Sequence, residues 1–136
     1  MTPARIHLDG GRVLMLGSLQ AARECVRSLS PEQFVVLLPA FSGTDIRDAE
    51  AVAPDLLAPG CAEICCIGGL AEDLHDRLDW LIEDRGLLSI ATTWDRDLDE
   101  GVEYFVKAAG GGTPDLCALV SRHPMVVERI RTLARV

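Results

Sequence analysis

The residues best suited to chemistry in this sequence are Thr92-Thr93-Trp94-Asp95: two hydroxyls, an indole and a carboxylate in consecutive positions. At the mouth of a buried strand such a group is more polar than packing requires. It offers a ligand hydrogen bonds, an aromatic wall and an acid or base. His123, set before Pro124 at a helix start, adds an imidazole that can exchange a proton near neutral pH. Thr93, Trp94, Asp95 and His123 are the expected ligand-binding residues. No nucleophile stands beside His123 in the sequence, so no catalytic residue is assigned.

Other spacings point to simpler roles. His75 and Asp79 lie four apart on one expected helix, side by side, as in a metal half-site. His75 falls at the margin of that helix's apolar stripe, so it reads as a hydrogen-bonded boundary histidine, and no metal site is expected. Cys25, Cys61, Cys65, Cys66 and Cys117 are odd in number, include no CxxC pair and lie mostly in apolar runs. They read as buried reduced thiols. Cys65 and Cys66 must point to opposite faces of their strand and cannot chelate together. Phosphate cradles of the GxGxxG or GxxxxGK type and a GxSxG elbow are absent, so no cofactor is implied. A receiver domain needs acids ending its first and third strands and a lysine ending its fifth. This chain has Gly17, Gly68 and Arg122 there.

The elements that must position these residues alternate. Apolar runs of strand length at 12–17, 34–38, 62–67, 88–93 and 116–120 are separated by amphipathic stretches of helix length. The helices include one from Leu19 to Leu29, stopped at Ser30-Pro31, and a weaker one over 44–57 that Pro54 must end or kink. A strong helix spans 70–85 with Gly86 as its cap, and another follows the Asp97 and Glu100 capping-box spacing until Gly110-Gly111-Gly112 stops it. The last spans 125–136, with Arg129, Arg131 and Arg135 outward. Continuous apolar strands are buried on both faces. The sequence therefore predicts an α/β fold: a single three-layer domain over 1–136, with a mostly parallel sheet of about five strands and helices on both faces. Ile6-His7-Leu8 before Asp9-Gly10-Gly11 would add an antiparallel N-terminal edge strand. Ligands of such sheets bind beyond the C-terminal strand ends. The loops there hold Gly17-Ser18, 39–43, Gly68-Gly69, 93–95 and 121–123.

Composition narrows the function classes. The formal charge is −8, and 16 acidic against 4 basic residues lie between Asp45 and Glu103. An acidic centre of this kind disfavours nucleic acid, which needs clustered Lys and Arg. No apolar stretch has the length of a membrane span, and Met1-Thr2-Pro3-Ala4-Arg5 lacks a signal-peptide layout, so a cytoplasmic protein with no membrane association is expected. Trp80 and Tyr104 fall off the buried faces of their helices. On what the sequence suggests are neighbouring helices, they would form an interface for a homodimer or another protein.

From about Phe34 to Val120 the chain resembles a small uncharacterised bacterial family, a domain of unknown function. The resemblance rests on Gly60-Cys61 before a strand, Gly68, Asp76, Asp79-Trp80, Thr92-Thr93-Trp94, Asp99-Glu100 and Tyr104-Phe105. Members of that family usually follow this Trp with His, where this chain has Asp95. The resemblance implies a shared fold and no activity. The expected function is a non-enzymatic binding or regulatory module, self-associating or meeting a protein partner. The alternative is a small hydrolase or transferase using Asp95, Thr93 and His123 at the strand ends.

Overall fold

Each apolar run becomes a strand and each amphipathic stretch a helix, in the order that alternation dictates. A computed structural model of the chain describes residues 2–29 and 32–134. The expected helix stop at Ser30-Pro31 and the outward Arg135 lie outside the described residues. The strands are β1 (Ala4–His7), β2 (Val13–Leu16), β3 (Phe34–Pro39), β4 (Cys61–Ile67), β5 (Ala91–Asp95) and β6 (Asp115–Ala118). The helices are α1 (Ala22–Arg27), α2 (Gly43–Leu56), α3 (Ala71–Asp84), α4 (Leu98–Lys107) and α5 (Pro124–Ala134).

The six strands form one sheet in the order β1-β2-β6-β3-β4-β5. All pairs are parallel except β1 with β2, so the expected N-terminal edge strand is present. Right-handed crossovers put every helix of one travelling direction on the same face. β2 to β5 travel one way, and α1, α2 and α3 share one core with Met15, Val36, Leu38, Ile64 and Cys66. The chain then turns back to insert β6 between β2 and β3, which lands α4 and α5 on the opposite face with Leu37, Cys65, Ile67 and Leu116. Cys65 and Cys66 fall on opposite faces, as alternation requires. All five thiols are free and buried.

Three expectations need correction. The fourth strand spans 91–95 rather than 88–93. Gly86 takes a left-handed φ of 68°, and Leu87 N–H bonds to Ile82 O at 3.0 Å, so the residues after it serve the end of α3. Leu88 is left 78% exposed. Thr92, Thr93 and Trp94 are therefore inside an edge strand, not in a loop beyond a buried one. Pro54 does not stop α2 at once, since the helix runs through it and ends at Leu56. Finally, Trp80 and Tyr104 are not on neighbouring helices, because α3 and α4 cover opposite faces of the sheet.

Candidate functional site

Open parallel sheets bind ligands where adjacent strands send their connections to opposite faces, because the outgoing loops part there and leave a crevice. In this sheet that condition holds between β4 and β5, whose chains leave toward α3 and α4 on opposite faces, and at the C-terminal end of β6. Its chain leaves toward α5 on one face, while those of β2 and β3 leave toward the other. The loops are fixed by backbone bonds. Gly17 N–H donates to Ala118 O at 3.0 Å and Ser121 N–H to Gly17 O at 3.0 Å, clamping the exits of β2 and β6 together. Gly17 has no room for a Cβ, which would stand 2.7 Å from Cys25 Sγ. On the other side Ala40 N–H donates to Ile67 O at 2.7 Å, and Gly68, at φ 120°, lies so close that a Cβ would meet Ala40 O at 2.6 Å.

These loops bring together His123 and Asp45. Ser42 caps α2, its Oγ accepting from Asp45 N–H at 3.2 Å, and Asp45 Oδ2 accepts in return from Phe41 N–H at 2.9 Å. The pair resembles a capping box, with Asp in the position of the usual Glu and the return bond taken from the residue before the N-cap. Asp45 Oδ1 then meets His123 Nε2 at 3.2 Å across the reversal. The carboxylate accepts only, so Nε2 carries the proton and Nδ1 of the neutral ring is the acceptor. The imidazole also lies against Phe41, with ring centroids 4.9 Å apart. Asp45 is 9% exposed. A cavity of about 230 Å³ opens beside the pair, with Ser18, Thr44, Asp48, Leu119 and Arg122 on its walls.

Thr93, Trp94 and Asp95 stand elsewhere. Three strand spacings, roughly 14 Å, separate β5 from β6. Thr93 and Asp95 face α4, Trp94 faces α3, and all three line a second cavity of about 300 Å³ with Cys65, Ile67 and Tyr104. Its polar groups are already engaged. Thr93 Oγ1 and Tyr104 Oη donate to Glu63 Oε2 at 3.0 and 2.8 Å, and Asp95 Oδ1 accepts from Asp97 N–H at 2.9 Å. Glu63, 5% exposed, also accepts from Gly110 N–H at 2.9 Å and from the Cys65 thiol at 3.5 Å. Desolvation and then the Glu63 carboxylate push the Tyr104 phenol above its ordinary range. Thr92 donates to Asp79, and the Arg96 guanidinium lies over Trp94, 5.2 Å from the ring centroid.

Residues singled out for simpler roles keep them. His75 is held by Asp76 at 3.0 Å and Asp79 at 3.4 Å. No group of three or more metal-ligating side chains occurs among the described residues. Burial pushes the Cys61 and Cys66 thiols up to about 12. Cys25 is lowered by a hydrogen bond from Cys117, yet both are wholly buried. Trp80 is 67% exposed and Tyr104, its hydroxyl on Glu63, 39%, so both stand off the core as expected.

Two residues escaped the sequence reading. Asp45 is signalled by its Ser42-x-x-Asp spacing directly after a strand, and Glu63 by its place in an otherwise apolar one. No helix among the described residues is long and apolar enough to cross a membrane. No curated protein matches the sequence. Residues 14–127, from β2 into α5, match the pattern of a family described as a domain of unknown function, DUF7684. The expected resemblance to an uncharacterised family thus rests on most of the sheet and the crevice, and the chain belongs to the DUF7684 family.

Proposed function

We propose that this chain is a non-enzymatic binding or regulatory module that takes a small molecule in the crevice at the end of β6. The carrying observation is the Asp45–His123 bond, which holds an imidazole where β6 and its neighbours send their connections to opposite faces. Among the described residues, Asp45 is the sole side-chain hydrogen-bond partner of His123: Ser18, Ser42 and Thr44 share its cavity, but none of their hydroxyls is hydrogen-bonded to the imidazole as an activated nucleophile would be. An imidazole without an activated nucleophile suits recognition better than covalent catalysis. The hydrolase or transferase alternative needs Thr93 and Asp95 beside His123, and their separation by three strands weighs against it.

The test is a thermal-shift screen of metabolites on the native chain, His123→Ala and Asp45→Asn. A ligand at a hundred times its Kd adds about 2.7 kcal/mol, which is several degrees in Tm for a chain of this size. The shift should vanish in His123→Ala and shrink in Asp45→Asn. A ligand that shifts all three proteins equally places the site elsewhere. The cavity beside β5 then becomes the better candidate, with Thr93, Trp94 and Asp95 as its ligand-binding residues. A second reading, contact with another protein, is favoured by the exposed Trp80 alone. It predicts a concentration-dependent mass in sedimentation that Trp80→Ser abolishes, with Tyr104 not part of the same surface.

A further inference from the structure

The crevice holds charges that the fold does not use. Arg122 and Asp48 both line the cavity beside His123. Neither makes an ion pair or a side-chain hydrogen bond with any described residue, and they do not pair with each other. Four other arginines find carboxylates: Arg23 with Asp55, Arg77 with Glu50, Arg96 with Glu72, and Arg129 with Asp99. Arg122 and Asp48 thus leave a cation and an anion open in one cleft. The apolar side chains of Leu19, Pro39 and Leu119 line the same cavity.

From this arrangement we infer that the ligand is a small zwitterion of amino-acid type. Its carboxylate meets the Arg122 guanidinium, its ammonium meets the Asp48 carboxylate, and a short aliphatic side chain rests on the apolar lining. Arginine suits the first contact because its planar fork matches a carboxylate in a two-point bond. A ligand with one charge would leave either Arg122 or Asp48 unsatisfied, and an uncharged one would leave both. The cavity, about 230 Å³, is of a size for a single small molecule. This inference rests on the proposed binding role of the crevice and adds the class of ligand.

The experiment uses three probes of nearly one size: L-alanine, propionate, which lacks the amine, and ethylamine, which lacks the carboxylate. Each is titrated into the full chain while the His123 imidazole resonances are followed by NMR, with other small aliphatic L-amino acids run in parallel. The expected result is saturable movement with the amino acids and at least tenfold weaker response to either single-charge probe. Arg122→Gln and Asp48→Asn, both changes at solvent-facing side chains, should each weaken amino-acid binding at least tenfold with an unchanged circular dichroism spectrum. Propionate or ethylamine binding as well as L-alanine overturns the inference, as does unaltered binding in both variants. If no amino acid acts but another compound from the metabolite screen moves the His123 signals, the zwitterion inference fails and the binding role stands. If nothing moves them, both fail.

Discussion

Glu63 shows how one side chain can set the character of a region. A carboxylate in a strand interior is costly unless its lone pairs are met, and here Tyr104, Thr93, Gly110 N–H and Cys65 meet them. Together they tie β4 to β5, to α4 and to the turn after α4. Removing one donor leaves three, so Tyr104→Phe should cost about 1.5–2 kcal/mol in urea unfolding, at the lower end of the range for hydrogen bonds to charged groups. Glu63→Gln should cost more, about 2–4 kcal/mol, because every bond to the carboxylate loses its charge assistance and the Thr93 and Tyr104 hydroxyls must turn to accept from the amide. If Glu63→Gln unfolds at the wild-type midpoint, the network contributes nothing to stability. Asp45 has a different task. It joins the capping of α2 to the placement of His123, so Asp45→Asn should affect ligand response more than His123→Ala affects stability.

Among the elements, α4 lies unusually close to the sheet at Gly101. A Cβ there would stand 2.5 Å from Ile67 Cγ2 and 3.2 Å from Asp95 Cβ. Alanine favours a helix over glycine by about 1 kcal/mol. The contact with a branched core side chain outweighs that gain, so Gly101→Ala should lower stability by about 1–3 kcal/mol, read from the urea midpoint. An unchanged or raised midpoint would refute the close approach. The sequence disclosed the elements better than their edges. Capping at Asp97, with Asp97 Oδ1 accepting from Glu100 N–H, and the stop at Gly110 were legible because local chemistry decides them. The start of β5 was not, because Leu87, Leu88 and Ile90 have the composition of a strand while a left-handed glycine commits them to the end of α3. Of the site, His123 was legible as an imidazole at a loop end. Its partner was not, since which loops meet across the reversal depends on strand order, and no local pattern encodes that β6 sits between β2 and β3.

At the scale of the whole molecule, both faces of the sheet bury thiols, and this sets a pH limit. Cys61 and Cys66 are pushed from an ordinary 9.0 up to about 12 by desolvation, and Cys65 is raised in the same way. The folded state keeps these protons where the unfolded chain loses them. Stability is therefore full below pH 9 and declines as pH rises from there toward 12, by about 1.4 kcal/mol per pH unit for each thiol involved. Urea unfolding at pH 7, 8 and 10 should show a flat stretch and then a fall, and Cys61→Ala with Cys66→Ala should make the fall shallower. An equal slope in the double variant would assign the loss to other groups. The inserted β6 has a consequence for how the protein is made. Without residues 115–118, the β1–β2 hairpin has no partner in the sheet and β3, β4 and β5 stand apart from it. A nascent chain carries two unjoined pieces until its sixth strand emerges to close the seam. The crevice lies along that seam, lined by residues that follow β2 and residues that follow β6, so a ligand bound there would also fasten the two pieces together.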